Sequence, residues 1–197
     1  PHLDSKSWSR LTYEFGSSYK FSRNVTAYAK YATGFKGGGY SAGSLAPAFN
    51  PETNTNIEVG LKGSYLDGLL SANISAFHMK YKDLQLNQVT GANATVTNAA
   101  RATIKGIEGE FAIHPSQELH INLNAAWLDA KFDEFFTNDS ARPSYQPDTK
   151  VINGVVTPGI QVAGHTLSQA PKYTVSVGGY YDIAAAVGTV TVGAKYN

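Results

Sequence analysis

Apolar and polar side chains alternate along much of this chain, and the pattern is most regular just before residue 130. Every second position there is apolar, namely Leu119, Ile121, Leu123, Ala125 and Trp127, and most of the residues between them are polar. Because successive side chains of a strand point to opposite faces, this spacing predicts a β-strand with one apolar and one polar face. An apolar face backed by asparagine and histidine is typical of a strand between lipid and a wet lumen.

The same alternation predicts eight strands, joined by connections that alternate between short and long. The strands are predicted at residues 8–18, 24–35, 55–65, 69–82, 103–113, 119–132, 172–181 and 188–197. The long connections are residues 36–54, 83–102 and 133–170, and the second of them could include a strand extension at Leu84–Val89. Asp67 and Gly68 mark a tight hairpin that needs a positive φ. Outer-membrane barrels keep short turns at the periplasmic side and long loops outside. The predicted fold class is therefore all-β, an antiparallel transmembrane β-barrel.

The predicted fourth strand changes its alternation part of the way along. Its apolar residues occupy even-numbered positions up to Ile74 and odd-numbered positions from Phe77 onward. A β-bulge inserts one extra residue and so shifts the phase of the following side chains. We therefore predict a bulge near Ala76.

The direction of the terminal strands bears on the size of the barrel. With the long loops outside, the first strand runs inward from the outer side and the eighth strand ends there, whereas a complete small barrel has both termini in the periplasm. Lipid does not tolerate unpaired strand edges. We therefore expect at least one more strand at each end, within a larger barrel.

Composition agrees with this fold class and removes several functions. Only 16% of the 197 residues are charged, against roughly 25% in soluble domains, and 12% are aromatic. A net charge of +1 gives no electrostatic basis for binding nucleic acid. Cysteine is absent, which excludes disulfides and thiol catalysis. We expect no cofactor and no enzymatic activity.

Six stretches of the sequence point to a known family when they are taken in order. They are YAKYATGFKGGGY at residues 28–40, PETNTNIEVGLKGSYLDG at 51–68, AFHMKYKDLQ at 76–85, NAARATIKGIEGEF at 98–111, LNAAWLDAKFDEF at 123–135 and LSQAPKYTVSVGGYYD at 167–182. In order and spacing these stretches resemble the barrel of TonB-dependent outer-membrane receptors, across about residues 10–185.

The resemblance implies a 22-stranded barrel around an N-terminal plug, in the outer membrane of a Gram-negative bacterium. Such receptors import siderophores, cobalamin, haem or sugars with energy from the TonB complex, and a ferric siderophore is the cargo we expect. Residues 1–197 would form part of the barrel domain, without the plug, the TonB box or the closing strands. Expected partners are the plug, the TonB complex, membrane lipid and lipopolysaccharide.

The predicted barrel wall and its long loops supply the candidate binding residues. The polar face of the third, fifth and sixth strands carries the candidate lumen wall, Glu58, Lys62, Glu108, Glu110, Asn122 and Asn124. The predicted outer loops carry candidate ligand contacts, Tyr40, Phe49, Arg101, Phe135, Phe136, Arg142 and Tyr145. The two arginines could pair with an anionic siderophore or a lipopolysaccharide phosphate. Wet lumens tolerate charge, so the wall charges could also be ordinary solvated residues.

Two catalytic or metal-binding interpretations deserve comparison with these assignments. Glu108 and Glu110 would lie roughly 6.6–7 Å apart along one strand, as a glycosidase needs, but nothing in the sequence encloses them in a cleft. His114 and His120 flank one short turn and could approach each other, although the histidine spacing matches no metal motif. We expect both pairs to be ordinary polar wall or rim residues.

Two further classes of protein remain open beside a TonB-dependent receptor. The first is a passive porin or a structural barrel that is complete in itself. The second is a soluble β-sandwich binding module, whose strands would also alternate. A sandwich would bury its apolar side chains between two sheets instead of presenting them outward.

Overall fold

A computed structural model describes residues 5–41, 47–90, 93–137, 144–152 and 154–197. In these residues the chain forms ten strands, which are β1 (Glu14–Lys20), β2 (Val25–Lys36), β3 (Glu52–Tyr65), β4 (Leu70–Thr90), β5 (Asn93–Ile113), β6 (Leu119–Thr137), β7 (Asp148–Ile152), β8 (Val155–Gln161), β9 (Tyr173–Ala185) and β10 (Gly188–Tyr196). No helix in this part of the chain is long and apolar enough to cross a membrane.

All strand pairs are antiparallel, and β1 to β6 follow one another across the sheet. Strand β6 then pairs with β9 over Leu119–Trp127 and with β8 at its far end, while β10 pairs with β9 and β7 pairs with β8. Strands β1, β7 and β10 each pair on one side only within the described residues, so the branched sheet has three open edges, of which β1 and β10 are the two ends of the main sheet. All eight strands predicted from the sequence are present, in the predicted order.

The register of the strands gives the sheet two distinct faces. Ile107 of β5 lies opposite Ala76 of β4 and Trp127 of β6. We call this side, with the odd-numbered side chains of β3, β5 and β6, the front face, and the other side the back face. Ile57, Val59 and Ile107 on the front face are 53%, 50% and 50% exposed. A second sheet does not cover them, in contrast to a sandwich.

Two levels of the sheet differ in chemistry along the strand direction. We call the sheet from the short turns to the Ile107–Trp127 pair the lower part, and everything beyond that pair the upper part. In the lower part the front face of β6 is apolar from Leu119 to Trp127, about 26 Å along the strand or about 20 Å of height at the usual tilt. That height is close to the apolar band of outer-membrane barrels.

The predicted loop at residues 83–102 is wrong for most of its length, because β4 and β5 continue through it as a long hairpin. The strand extension considered at Leu84–Val89 is present as part of β4. The structural reason is a small hydrophobic core on the back face of the upper part. Ala102 is fully buried and Phe132 is 7% exposed, and the apolar side chains around them belong to Tyr81, Leu84, Leu86, Ala100, Phe135, Val162 and Leu167. Beyond Leu84–Val89, partners this far apart in sequence leave no local signal in a stretch rich in Asn and Thr.

The predicted loop at residues 133–170 is also partly wrong. Strand β6 extends to Thr137, and β7 and β8 form a hairpin that the sequence did not predict. Proline argues against a central strand, but Pro158 lies in β8 of this narrow hairpin opposite Thr149, where a missing N–H is tolerated. Beyond the hairpin, Thr166 forms a β-bridge with Lys131 and follows the edge of β6.

The predicted bulge near Ala76 is wrong as well. The pairing of β4 with β3 runs without interruption from Lys82 to Leu70, and the register shifts against β5 occur between Tyr81 and Gln85. The apolar side chains therefore change from the front face to the back face while the backbone alternation stays intact. At this level the apolar surroundings change from the front face to the back face, while the strand continues without a bulge.

The bounds of the first strand differ from the prediction, whereas the tight turn after β3 agrees with it. Strand β1 begins at Glu14 instead of residue 8 and ends at Lys20, so the following short turn is displaced by about two residues. The turn at Leu66–Gly68 has the expected positive φ, 54° at Asp67 and 95° at Gly68, and Leu66 adopts 54° as well.

Candidate functional site

The six residues predicted as a lumen wall all lie on the back face of the sheet. They are Glu58 and Lys62 of β3, Glu108 and Glu110 of β5, and Asn122 and Asn124 of β6. One register row crosses the lower part through Lys62, Asn73, Glu110 and Asn124 on four successive strands. The alternation of the sequence therefore brings residues up to 62 positions apart into a single polar stripe.

This stripe borders a groove of about 650 Å³, to which Lys20, Lys62, Asn73, Glu110, Asn122 and Asn124 contribute. Asn73 Nδ2 donates a hydrogen bond to Glu110 Oε2 at 3.3 Å. The oxygen of the same amide group, Asn73 Oδ1, is buried and has no hydrogen-bond partner within the described residues. Charges of both signs beside several amides suit hydrogen bonding to a polar surface or solute.

A second polar network lies beside the groove and surrounds Glu58. Tyr28 Oη donates a hydrogen bond to Glu58 Oε1 at 2.9 Å, and Lys30 Nζ lies 3.3 Å from Glu58 Oε2. Lys62 Nζ lies 5.2 Å from the centre of the Tyr28 ring. The ring occupies the space over Gly60, where a β-carbon would come within 2.5 Å of it. Sequence analysis did not select Tyr28 and Lys30, although both lie at even positions of the same predicted face.

The structure gives no support to a glycosidase interpretation of Glu108 and Glu110. Both side chains are exposed on an open sheet, and Glu110 accepts the hydrogen bond from Asn73. Opposed pKa values for a catalytic acid and base need an enclosed site of low polarity.

The seven predicted ligand contacts do not form one site. Tyr40, which follows β2, is 44% exposed, and Tyr145, which precedes β7, is 54% exposed. Phe49 forms a β-bridge with Gly39. Arg142 lies outside the described residues. Arg101, Phe135 and Phe136 lie in β5 and β6 and not in loops, which corrects their assignment.

Arg101 and Phe135 already have partners in the protein. Arg101 Nε lies 3.7 Å from Glu134 Oε2, and the Phe135 ring packs 4.9 Å from that of Phe132. Lys150 of β7 also donates a hydrogen bond to Glu134 at 3.1 Å. This hydrogen bond, together with the charges of Lys150 and Arg101, lowers the pKa of Glu134 below its usual value. An anionic ligand would have to compete with this carboxylate for Arg101.

The histidines flanking the short turn between β5 and β6 do approach each other, as predicted. The rings of His114 and His120 lie 4.8 Å apart, and His120 stacks on Tyr180 at 4.4 Å. Asp182 Oδ2 lies 3.8 Å from His120 Nε2. Within the residues that the structure describes, no group of three or more His, Asp or Glu side chains is placed to hold a metal ion.

Together, these features define the class of protein. An antiparallel meander with an exposed apolar front face, a charged back face and short turns at one end is the wall of a transmembrane β-barrel. The chain belongs to the TonB-dependent receptor family, since the family model for the TonB-dependent receptor-like β-barrel matches residues 2–197. Members of this family are outer-membrane proteins of Gram-negative bacteria.

Several relatives with assigned names are similar to the chain. The metal-pseudopaline receptor CntO of Pseudomonas aeruginosa (strain UCBPP-PA14) is 30% identical over 122 residues, which are 61% of this chain and 17% of that protein. The "Probable TonB-dependent siderophore receptor PiuA" of Acinetobacter baumannii is 24% identical over 186 residues, which are 87% of this chain and 24% of that protein.

The fold is also similar to that of solved structures. The ferric yersiniabactin uptake receptor FyuA of Yersinia pestis superimposes with a TM-score of 0.65 at 20% identity, covering 90% of this chain and 24% of that one. The chain thus spans about a quarter or less of the length of these relatives.

Proposed function

We propose that these strands are part of an outer-membrane receptor that imports a ferric siderophore with energy from TonB. The observation that carries this proposal is the charged and amide-rich groove on the back face, directly behind an exposed apolar face. The names of the relatives support the class of cargo, because CntO, PiuA and FyuA are all receptors for metal-carrying or siderophore ligands.

The open edges of the sheet support a larger barrel. Strands β1 and β10 would pair with further strands of the complete receptor, because lipid leaves no unpaired backbone edge. A plug inside that barrel would contact the back face, with Lys62, Glu110 and Asn122 as the nearest partners for its polar groups. The TonB complex would act on the plug from the periplasmic side.

Capture of the cargo would begin at the tips of the upper part. The exposed rings of Tyr40 and Tyr145 offer flat surfaces for an aromatic or chelating ligand, with Phe49, Phe136 and Arg142 as further predicted contacts. From there the cargo would pass the back face, where mixed charges and amides exchange hydrogen bonds without holding one partner tightly. This proposed path also includes Glu58, Glu108 and Asn124. We keep Arg101 and Phe135 as proposed ligand contacts, although they lie in β5 and β6 and not in loops.

Uptake of radioactive iron tests the proposal in cells that depend on the complete receptor. Cells supplied with a panel of ferric siderophores should accumulate iron from at least one of them, and deletion of TonB should abolish the accumulation. Replacing Lys62 and Glu110 by glutamine should slow uptake more than replacing Lys150, which lies on the β7–β8 hairpin. Uptake that is unaffected by loss of TonB would favour a passive porin and contradict the proposal.

A further inference from the structure

On strands β4, β5 and β6 the front face changes from apolar to charged at one level of the sheet. On β4 it carries Ile74 and Ala76 in the lower part, followed by His78, Lys80 and Lys82 in the upper part. The neighbouring strands also become charged beyond this level. Lys105 lies next beyond Ile107 on β5, and Asp129 and then Lys131 lie beyond Trp127 on β6. We call Lys80, Lys82, Lys105 and Lys131 the cationic patch.

The register places the four lysines of the cationic patch close together. Lys80 and Lys131 both lie opposite Thr103, on the two sides of β5, so their backbones are about 9.6 Å apart. Lys82 lies two positions from Lys80 on the same strand, about 7 Å away. Lys105 is the diagonal neighbour of Lys80 on β5, about 7–8 Å away. All four side chains are exposed, and one multiply charged anion could contact several of them.

The charges within the cationic patch are only partly neutralised by the protein. Asp129 lies 3.4 Å from Lys105 Nζ and 3.0 Å from Lys131 Nζ, so it serves both lysines. The carboxylate of Asp133 accepts a hydrogen bond from Thr103. Lys80 and Lys82 form no ion pair with any residue that the structure describes, which leaves the β4 side of the patch with an excess of positive charge.

A groove extends the cationic patch along the same face. It has a volume of about 670 Å³, and its lining includes Lys6, Arg10, Phe35, Thr53 and Asp83. Thr53 is the direct register partner of Lys82, so the groove and the patch are adjacent. Two further cations, two aromatic rings (Trp8 and Phe35) and one carboxylate (Asp83) therefore lie beside the unpaired lysines, in a concave site with a net positive charge.

We propose that the cationic patch and this groove bind the phosphate-bearing headgroups of the outer-leaflet lipid. The inference rests on the membrane location in the proposed function, and it names a partner that the front face meets outside the lumen. On β4, β5 and β6 the apolar side chains of the front face end at the row of Ala76, Ile107 and Trp127. Lipid phosphates lie directly above the acyl region. Lysines at that level meet the phosphates at the lowest cost in dehydration, and each strengthens binding about fivefold.

The test uses the complete receptor that contains these strands, purified in detergent and titrated with diphosphoryl lipid A. Bound lipid is counted by native mass spectrometry. The double variant Lys80→Gln/Lys82→Gln should bind roughly 25-fold more weakly, since each lysine contributes about fivefold. The double variant Lys80→Arg/Lys82→Arg keeps both charges and should bind within about twofold of the original protein.

The matched control is Lys36→Gln. Lys36 lies at nearly the same level, but on the back face opposite Glu52. It should change lipid binding less than twofold. Equal losses in Lys36→Gln and the double glutamine variant, or no loss in either, would overturn the proposal. Bound lipid A is also measured in the presence of millimolar inorganic phosphate. If phosphate displaced the lipid completely, the site would select a free anion, and this result would overturn the proposal.

The outcome can be separated from failure of the proposed function. A receptor that stays soluble and monomeric without detergent would contradict membrane location and both proposals together. A detergent-dependent receptor that imports a ferric siderophore but binds lipid A equally well in all variants would contradict the lipid site alone.

Discussion

The lower and upper parts of the sheet contain the same continuous strands but carry their apolar side chains on opposite faces. In the lower part the front face is apolar and exposed to the surroundings, while the back face carries Lys62, Glu110 and Asn124. In the upper part the front face carries lysines, while the back face packs Ala102 and Phe132 into a small core. The difference shows that one strand can serve two environments without any break in its backbone pairing.

Each arrangement follows from what lies against the sheet. In the proposed barrel, lipid favours apolar side chains on the front of the lower part, and water in the lumen accepts charge on the back. Above the membrane of that barrel, water would reach the front face, and the apolar side chains of the upper part lie on the back, where Val162 and Leu167 pack against them. The predictions below test this reversal, in order of decreasing expected effect.

Replacing Phe132 by alanine should open the upper part. The side chain is 7% exposed and contacts the core around Ala102, so its loss should cost about 3–5 kcal/mol. Hydrogen exchange of the upper β4–β5 hairpin should accelerate, while amides of the lower part stay protected. The control Val151→Ala, on the exposed β7–β8 hairpin, should change exchange little. A uniform acceleration through both parts would show that the core is not specific to the upper part.

Charge on the two faces of β6 tests the lower part. Leu123→Arg places a cation on the apolar front face near mid-height, and it should destabilise the protein in lipid by about 2–4 kcal/mol. Asn122→Arg places the same cation on the back face beside the groove and should cost much less. The measurement is reversible unfolding by denaturant in lipid vesicles. Equal costs for the two variants would refute the assignment of the faces.

Glycines on the back face test the network around Glu58. In Gly60→Ala the new methyl group would lie about 2.5 Å from the Tyr28 ring, which must move away from its hydrogen bond to Glu58. We expect a loss of about 1–3 kcal/mol in the same unfolding assay. Gly16→Ala on the same face is the control, since its nearest neighbour would be 3.7 Å away. If Tyr28→Ala fails to reduce the cost of Gly60→Ala, the clash is not with this ring.

The smallest expected effect concerns pH and the β7–β8 hairpin. The hydrogen bond from Lys150 and the nearby charge of Arg101 lower the pKa of Glu134. A carboxyl group with a lowered pKa stabilises the folded state above its unfolded pKa, and this contribution is lost as the pH falls through the lowered value. Because Glu134 is half exposed, we expect at most about 1 kcal/mol.

Hydrogen exchange of β7 and β8 should therefore accelerate when the pH falls below the usual range of a glutamate. After correction for the intrinsic pH dependence of exchange, Glu134→Gln should remove this step. A step of the same size in the Gln variant would assign it to another group.

The sequence determined the fold class wherever its local pattern was strong. Strict alternation at residues 119–127 identified β6 and its two faces, and Asp67-Gly68 identified the tight turn. The six family stretches identified the receptor family, and all six candidate wall residues proved to share the back face. These features depend on neighbours within a few positions, because period-two alternation and turn residues are local properties.

Tertiary structure alone decided the upper part. The β4–β5 extension forms where Ala100, Phe132 and Leu167 meet over distances that no local window contains. The β7–β8 hairpin is attached to the sheet where β8 pairs with the far end of β6. The change of phase near Ala76 was interpreted from the sequence as a bulge. A bulge and a change in which face of the strand is apolar produce the same pattern of apolar positions. The uninterrupted register with β3 distinguishes them, and it shows that the surroundings of each face change where the strand leaves the apolar band.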